Sequence, residues 1–245
     1  MKIATWNVNH RAVRKTIPDT LAPAIISTDA DVLVFTEFVH CDTKEDRQAF
    51  YGQLRDAGYS YQLRTVTTPK ENHILISSRQ PIAQGDLLPP PTTIHSSVPS
   101  NFLHVKSENT GIEIIGIRVP DYSKPVYKDV AKAYWEWFTS LTDKIADRPI
   151  IIIGDFNIDP DMKKYKFRHH LNDLLENGWQ IASPDNGASF WANKNNAPHR
   201  LDHAFLSDQL NVKDASYISS VPDLWVCGEN RFKEPDHAIL MVEVS

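Results

Sequence analysis

Two polar side chains directly after an apolar run give the strongest chemical signal in this 245-residue sequence. Residues 150–153 are continuously apolar, as in a strand buried on both faces, and Gly154 ends the run. Asp155 and Asn157 follow two positions apart, so both side chains lie on one side of an extended chain. A carboxylate beside a carboxamide orients water and stabilises a developing oxyanion. A plain turn explains the same pair equally well.

Two other apolar runs also end in oxygen-bearing side chains. Asn7 and Asn9 close the first run, although asparagine is depleted in strands. Glu37 follows the run 31–36. A hard cation such as Mg²⁺ binds one or two carboxylates and leaves other positions to water and phosphate. The alternatives are a solvent-facing edge strand for the asparagines and an exposed strand end for Glu37.

Two Asp-His pairs near the C-terminus each come just before an apolar run. They are Asp202-His203 and Asp236-His237, and we select His237 as the one candidate among ten histidines. A histidine at such a place is often structural. The adjacent pair 169–170 is not interpreted as a metal site, because neighbouring residues on a helix diverge.

The elements that must position these residues are mainly short strands. Apolar runs predict strands over 2–8, 31–36, 59–67, 73–78, 102–106, 112–118, 149–154, 201–206 and 238–244. Helices are predicted over about 43–57, 126–147 and 165–177, the first with a capping-box-like start at Thr43-x-x-Asp46. Many strands with few helices predict two packed sheets with helices outside. No linker divides the chain, so we expect one domain over residues 1–245.

The bulk composition is typical of a soluble globular protein. The net charge of −5 argues mildly against non-specific coating of nucleic acid, but it does not exclude an enzyme that acts on it. The sequence has neither an apolar stretch of membrane-spanning length nor a secretory signal. Cys41 and Cys227 lack metal-type spacing and are expected to be reduced thiols. We therefore expect a cytoplasmic monomer without a membrane partner.

Taken in order, these signals resemble the endonuclease/exonuclease/phosphatase superfamily. The series is Trp6-Asn7-Val8-Asn9, Thr36-Glu37, Gly154-Asp155-Phe156-Asn157, Arg200-Leu201-Asp202 and Pro235-Asp236-His237. The resemblance extends from residue 3 to about residue 242. The superfamily includes abasic-site endonucleases, pancreatic-type DNases, deadenylases, sphingomyelinases and inositol-phosphate 5-phosphatases. The motifs are specific for the superfamily and select poorly among its members.

The resemblance implies an α/β fold, a four-layer α/β/β/α sandwich of two mixed sheets flanked by helices. It implies an active site at one end of the sheets. There Asn7 and Glu37 would hold Mg²⁺ or Mn²⁺, with Asp236 as a further metal residue and Asn9 close by on the substrate side.

The resemblance also implies a role for each catalytic residue. Asp155 would orient or deprotonate the attacking water, and Asn157 would donate a hydrogen bond to the phosphoryl group. His237 would stabilise the negative charge that grows during attack. Asp202 would accept a hydrogen bond from His237 and fix its tautomer. The metal would polarise the phosphate.

Arg118 departs from the pattern, because abasic-site nucleases usually carry a tyrosine at this position. Its guanidinium would grip a phosphate with two hydrogen bonds, or it would form an ion pair with a neighbouring carboxylate. Phe190 and Trp191 resemble the aromatic pair that lines a pocket in the DNA-repair branch. Trp191 is therefore a candidate for substrate binding, with core packing as the alternative.

The expected function is metal-dependent hydrolysis of phosphate esters, with nucleic acid as the substrate and DNA favoured over RNA. Basic residues on loops near the expected site support this choice, and they are Arg11, Arg14, Lys15, Lys124, Lys128, Lys163, Lys164, Lys166, Arg168, Arg231 and Lys233. A solvated helix face explains the cluster 163–168 equally well. Two alternatives stay open, a phosphatase or phosphodiesterase for a small molecule or lipid headgroup, and a catalytically idle binding module of the same fold.

Overall fold

The structure, a computed structural model, describes residues 1–9, 15–66, 72–121, 125–165, 167–182, 184, 187–192, 197–222, 224–227 and 236–245. The strands in these ranges are β1 (Lys2–Asn7), β2 (Val32–Phe38), β3 (Tyr61–Arg64), β4 (His73–Ser78), β5 (Ile82–Gln84), β6 (Phe102–Ser107), β7 (Glu113–Arg118), β8 (Ile150–Asp155), β9 (Gln180–Ile181), β10 (Phe190–Trp191), β11 (Pro198–His199), β12 (Asp202–Leu206), β13 (Val212–Ile218), β14 (Ser220–Val221), β15 (Leu224–Trp225) and β16 (Ile239–Val244). The α-helices are α1 (Leu21–Ile26), α2 (Glu45–Asp56), α3 (Lys128–Ile145) and α4 (His169–Glu176). Short 3-10 helices cover Val98–Asn101 and Pro125–Tyr127.

Two six-stranded sheets form the centre of the protein. The first has the strand order β13-β16-β1-β2-β4-β3, and the second has the order β5-β6-β7-β8-β12-β9. Each sheet is mixed, because β1 and β2 run parallel in the first, β7 and β8 run parallel in the second, and the remaining pairs are antiparallel. This arrangement confirms the predicted class of two mixed sheets.

Period-2 alternation sorts the apolar side chains of each strand into two layers. In β8, Ile151 and Ile153 belong to the core between the sheets, whereas Ile150 and Ile152 pack toward α3 and α4. Both faces of this strand are therefore buried, which explains why its sequence is continuously apolar. In β2, Val34 faces the other sheet in the same way.

The helices form the two outer layers of the sandwich. Leu21 of α1 and Phe50 of α2 belong to the core that covers the first sheet. Trp135 and Phe138 of α3 belong to the core that covers the second sheet, together with Leu171 of α4. The four-layer α/β/β/α architecture is thus as predicted. None of the described helices is both long and apolar enough to cross a membrane.

Several predicted boundaries were wrong for local reasons. The strand predicted over 59–67 is shorter, and β13 was missed because it is a polar edge strand with a largely accessible face. The capping box at Thr43 is absent from the described contacts of α2, since its N-cap is Lys44 without a side-chain cap. Asp46 instead accepts a hydrogen bond from the backbone N–H of Ile17 at 2.7 Å.

Candidate active site

The ends of β1 and β8 meet across the gap between the two sheets. Asn7 is the last residue of β1, and Asp155 is the last residue of β8. Nδ2 of Asn7 donates a buried hydrogen bond to Oδ2 of Asp155 at 2.9 Å. The predicted residues of the first and the second sheet are therefore in direct contact.

A β-bulge directs Glu37 toward the same place. The register between β2 and β4 shifts between Phe35 and Phe38, and both of these rings pack in the core beneath α2. Glu37 adopts a left-handed conformation with φ 53°. Because one extra residue reverses the alternation, Glu37 points toward the second sheet instead of the helices.

Arg118, the last residue of β7, forms an ion pair with Glu37. Its Nε and Nη2 atoms both lie 2.7 Å from Oε1 of Glu37, and its Nε lies 3.9 Å from Oδ2 of Asp155. Burial alone would lower the pKa of Arg118, but these two carboxylates raise it. Of the two interpretations offered by the sequence, the ion pair with a neighbouring carboxylate is the one present.

Gly154 has a backbone conformation and a close contact that no other residue permits, and it places Asp155 at the end of β8. Its φ is 149°, and a Cβ atom at this position would lie 2.0 Å from the carbonyl oxygen of Ile117 on the paired strand. Any side chain would therefore separate β7 from β8 and displace Asp155.

The carboxylate of Asp155 is buried and held by the backbone that follows it. Oδ1 accepts a hydrogen bond from the backbone N–H of Asn157 at 2.9 Å, and Oδ2 accepts one from Nδ2 of Asn157 at 3.0 Å. Asn157 is left-handed with φ 53°, and its Nδ2 also donates to the carbonyl of Val119. The turn interpretation of this pair is therefore confirmed, whereas its chemical role stays a prediction.

Burial is the largest influence on Asp155 and raises its pKa. The neighbouring charge of Asp202 acts in the same direction, while His237 and Arg118 oppose it, and the resulting pKa is about 7. A carboxylate with a pKa near neutrality is suited to accept a proton from water at ordinary pH.

Asp202 and His237 form a buried pair beside Asp155. Asp202 starts β12 directly opposite Asp155 in the sheet register, and its Oδ2 lies 2.7 Å from Nδ1 of His237. Burial alone would lower the pKa of His237, but the charge and the hydrogen bond of Asp202 raise it to about 9. The imidazole is therefore cationic at neutral pH, and Nε2 is the ring nitrogen that is not committed to Asp202.

Two residues that the sequence did not single out hold Asp202. Oγ of Ser189 accepts hydrogen bonds from the backbone N–H groups of Leu201 and Asp202 at 2.8 and 2.9 Å. The hydroxyl of Tyr217 donates to the carbonyl of Asp202 at 2.7 Å. Ser189 directly precedes the aromatic pair and was detectable there, whereas Tyr217 lies on the unpredicted strand β13.

Aromatic side chains hold His237 from two directions. Nε1 of Trp6 donates to the carbonyl of His237 at 2.9 Å, and the ring of Phe190 lies 5.0 Å from the imidazole. Trp191 instead packs against the core that covers the first sheet and is half-buried. Of the predicted aromatic pair, Phe190 is the one in contact with His237, and substrate binding by Trp191 stays a prediction.

Asn9 links Asp236 to the end of β1. Its Nδ2 donates to Oδ1 of Asp236 at 3.1 Å, and its backbone N–H donates to Oδ1 of Asn7 at 3.0 Å. Asn9 is left-handed with φ 52°, and its carbonyl accepts a hydrogen bond from Lys15. Sγ of Cys227 donates to the carbonyl of Asp236. The predicted residues Asn7, Asn9 and Asp236 thus form one hydrogen-bonded group.

Only part of the predicted basic surface belongs to the residues that the structure describes. Arg11, Arg14, Lys124, Lys166, Arg231 and Lys233 lie outside them, as does Pro235 of the last motif. Nζ of Lys164 lies 3.5 Å from Nε2 of His199, whose ring neighbours Phe190. Lys128 and Lys163 are exposed.

Two compact groups of histidine and carboxylate side chains lie elsewhere in the described ranges. They are Asp86, His104 and Glu113, and His169, His170 and Asp173. In the first group Arg148 contacts both carboxylates, so an arginine already supplies the positive charge. In the second group the two imidazole rings lie 4.1 Å apart, so the prediction that they diverge was wrong.

The fold is that of solved phosphoesterase structures. A 3′-5′ exonuclease from Neisseria meningitidis has a TM-score of 0.73 at 20% identity, covering 99% of each chain. A 3′ phosphatase from Neisseria bound to product DNA hairpin has a TM-score of 0.72 at 20% identity, covering 100% of this chain and 99% of that one. An AP endonuclease from Archaeoglobus fulgidus has a TM-score of 0.76 at 17% identity, covering 99% of this chain and 98% of that one.

The sequence itself carries the family signature over most of its length. No curated protein sequence matches the chain. The model of the Endonuclease/Exonuclease/phosphatase family matches residues 4–225, which is most of the 245 residues. Enzymes of this family hydrolyse phosphoester bonds and depend on divalent metals. The chain therefore belongs to the Endonuclease/Exonuclease/phosphatase family.

Proposed function

We propose that this protein is a nuclease that hydrolyses phosphodiester bonds, in DNA more than in RNA, by attack of an activated water molecule. The observation that carries the proposal is the contact between the sheets at Asn7 and Asp155, at 2.9 Å. Through this contact a buried acid, its amide neighbours and a cationic imidazole share one end of the sandwich. Water activation and charge stabilisation are both available there.

Asp155 is the residue that receives the proton of the attacking water. Three N–H groups, from Asn7 and Asn157, fix the orientation of its carboxylate. Its pKa of about 7 makes it a stronger base than an ordinary aspartate while it stays ionised in a useful fraction. After the transfer, the neutral acid is favoured by burial.

His237 stabilises the negative charge on the phosphoryl oxygens during attack. Its Nδ1 is held by Asp202, so the N–H at Nε2 is the donor for substrate. The cationic state at neutral pH strengthens this hydrogen bond in a site shielded from water. Both hydrogens of the Asn157 amide are committed, one to Asp155 and one to the carbonyl of Val119, so we assign Asn157 to orienting the base rather than to the phosphoryl group.

Asn7, Glu37 and Asp236 would hold a divalent cation, Mg²⁺ or Mn²⁺. Asn7, Glu37 and Asp236 offer only oxygen ligands, the type that these hard ions prefer. All three are buried, and the bulge at Glu37 directs its carboxylate to the site. When bound, the ion would polarise the phosphate and stabilise the leaving oxygen. Arg118 would then exchange part of its contact with Glu37 for a phosphate oxygen.

Nucleic acid is the substrate class that the likeness to solved structures supports. Those structures include an exonuclease, an AP endonuclease and a 3′ phosphatase bound to DNA. Phe190, beside His237, adds an aromatic surface of the kind that stacks on bases or sugars. Trp191 and Asn9 complete the proposed substrate contacts.

A phosphatase or phosphodiesterase for a small phosphate ester is the second candidate. The net charge of −5 favours it, since a small ester needs less positive surface than a polynucleotide. An idle binding module of the same fold is disfavoured, because all of the expected catalytic side chains are present. We further propose that the 245 residues form one catalytic domain that acts as a monomer. A cytoplasmic location stays a prediction from cysteine usage.

A panel of substrates assayed side by side tests the function. Single-stranded, double-stranded, abasic and 3′-phosphorylated DNA and RNA oligonucleotides are compared with small phosphate esters, in Mg²⁺, in Mn²⁺ and in excess chelator. Cleavage of oligonucleotides that stops in chelator and returns with either ion is the expected result. Hydrolysis of small esters alone would favour the second candidate, and turnover in chelator would exclude the metal.

A further inference from the structure

Helix α4 brings two histidines and an aspartate together, away from the catalytic cluster. They are His169, His170 and Asp173, of which His169 is exposed and the other two are half-buried. Successive residues of a helix are about 100° apart around its axis, so Asp173 projects between the two histidines, one turn further along. Because helical side chains point back toward the N-terminus, its carboxylate reaches the level of the imidazole rings. One helix thus gathers three side chains of metal-binding type.

The distances within this group fit an ion with the coordination of zinc. One nitrogen or oxygen atom from each of the three side chains lies within 4.8 Å of the other two. Nδ1 of His170 lies 3.3 Å from Oδ2 of Asp173. Ligand atoms on a tetrahedral zinc lie roughly 3.3–3.6 Å apart, since the bonds to the ion are about 2.0–2.2 Å long. One pair therefore has the required spacing already, and the exposed ring of His169 completes the set by turning at the surface.

His170 is held in the neutral state that binds metals. Burial lowers its pKa, and the neighbouring His169 lowers it further, against the opposing charges of Asp173 and Glu136. The positive end of the helix dipole lies at this end of α4, whose first turn has no acidic residue, and it also disfavours a protonated imidazole. Because a metal binds the deprotonated ring nitrogen, His170 offers a lone pair at neutral pH.

Packing against α3 fixes the orientation of His170. Its ring stacks on Trp135 with 3° between the planes and 5.2 Å between the centroids. Its Nδ1 also lies 3.4 Å from the hydroxyl of Thr139, beyond the usual length of a hydrogen bond, so this contact does not commit the nitrogen. In the described part of the chain, Asp173 forms an ion pair with His170 alone. This group therefore differs from the one around Glu113, where an arginine supplies the positive charge.

We propose that His169, His170 and Asp173 bind a divalent transition ion of the zinc type, with water at the remaining position. Two imidazoles and one carboxylate suit zinc, copper or nickel, whereas Mg²⁺ prefers oxygen ligands alone. The ion would join the first residue of α4 to its fifth. An eight-residue helix is too short to be stable by itself, so this link would stabilise it. The site goes beyond the proposed function, because it needs no nucleic acid.

Calorimetric titration of Zn²⁺ into the untagged, chelator-treated full chain tests the site in excess Mg²⁺. Zinc that enters the catalytic cluster is common to every variant, so the difference between variants reports on α4. We expect His169→Ala and Asp173→Asn to bind one equivalent of zinc at least about tenfold more weakly than the wild type. Asn172→Ala and Glu176→Gln, exposed on the same helix, are the matched controls. Equal zinc binding by the wild type and both ligand variants, or equal losses in the controls, would overturn the proposal.

The stack of Trp135 on His170 gives a second, optical measurement. Cu²⁺ binds imidazole ligands more tightly than Zn²⁺ and quenches the fluorescence of a tryptophan beside it. We expect Cu²⁺ to quench the wild type through Trp135, and His169→Ala to need at least about tenfold more Cu²⁺ for the same effect. Trp135→Phe should lose this part of the quenching and still bind Cu²⁺ in the calorimeter. Quenching of His169→Ala at the wild-type concentration of Cu²⁺ would refute a site on α4.

Glu37→Gln distinguishes this site from the catalytic cluster. The variant removes a carboxylate from the cluster and leaves α4 unchanged, so it should lose turnover and keep the Cu²⁺ quenching of the wild type. Loss of the quenching in Glu37→Gln together with its retention in Asp173→Asn would assign the ion to the catalytic cluster and overturn the proposal. If no oligonucleotide is cleaved but the α4 variants lose zinc, the nuclease assignment fails and the zinc site stands.

Discussion

Arg118 at the end of β7 lies 2.7 Å from Glu37, across the gap between the sheets, through two nitrogens that contact the same carboxylate oxygen. The guanidinium thus compensates the negative charge of Glu37 and, at 3.9 Å, part of that of Asp155. Both acids are buried, so they need a cation nearby. The arginine thus supplies the positive charge that both carboxylates require.

Removing that cation should destabilise the metal-free protein. We expect Arg118→Met to lower the free energy of unfolding by about 3–5 kcal/mol in chelator, because it leaves buried carboxylates without a partner. Added Mn²⁺ should recover part of the loss. Urea unfolding with and without metal measures both effects, with Lys128→Met at an exposed site as the control. A variant as stable as the wild type in chelator would show that the ion pair is not needed for folding.

The pair Asp202–His237 should matter for turnover more than for substrate binding. Asp202→Asn removes the charge that keeps the imidazole cationic and oriented, so we expect kcat to fall by about 10²- to 10⁴-fold. KM should change little, since Asp202 lies behind the imidazole. Steady-state kinetics on a cleaved oligonucleotide gives both constants, and Asp208→Asn, at an exposed site beyond the other end of β12, is the control. A loss of less than threefold would contradict the assigned role.

The stability of the metal-free protein should fall as the pH rises from about 6.5 to 9. The pKa of His237 is about 9 in the folded protein and about 6.5 in an unfolded chain. In that interval the folded state keeps a proton that the unfolded state releases, so a rise in pH favours unfolding. Thermal unfolding in chelator across this range measures the slope. Asp202→Asn should flatten it, and an equal slope in that variant would disprove the linkage.

Substitution of Asp155 should change both kcat and the dependence of Tm on pH between about pH 4 and pH 7. Asp155→Asn removes the proposed base, so we expect kcat to fall by about 10²- to 10⁴-fold. Because the pKa of Asp155 is raised to about 7, the folded protein keeps a proton between about pH 4 and pH 7 that the unfolded chain releases, so the Tm of the wild type should fall as the pH rises through this range. The Tm of Asp155→Asn should not show this fall. Rates like those of the wild type would remove Asp155 from the mechanism.

The sequence predicted the fold well where side chains alternate strongly. The buried run of β8 and the strands β1, β2, β4, β6 and β7 were placed within one or two residues, since apolar side chains on one or both faces define them. The polar edge strand β13 and the short helix α1 lack such a pattern and were missed. Edge strands depend on a neighbouring strand for their hydrogen bonds, which one sequence segment does not reveal.

The candidate site was predicted by residue type rather than by contact. That Asn7 reaches Asp155 depends on the packing of two sheets, so no local pattern contains it. The β-bulge that redirects Glu37 likewise cannot be predicted from the sequence, because regular strand alternation would turn this side chain toward the helices. Ser189 and Tyr217 were missed because their hydrogen bonds go to the backbone around Asp202, although Ser189 stands directly before the aromatic pair.

Three residues of the candidate site have a left-handed backbone conformation that residues other than glycine rarely adopt; they are Asn9, Glu37 and Asn157. Glycine at any of the three would relax the local chain while it deletes a functional group. A selection for thermal stability alone would therefore tend to enrich glycine at these three positions, and the selected variants would be stable but inactive. Directed evolution of this scaffold needs an activity screen at every round, since thermal tolerance and turnover make opposite demands on the same few positions.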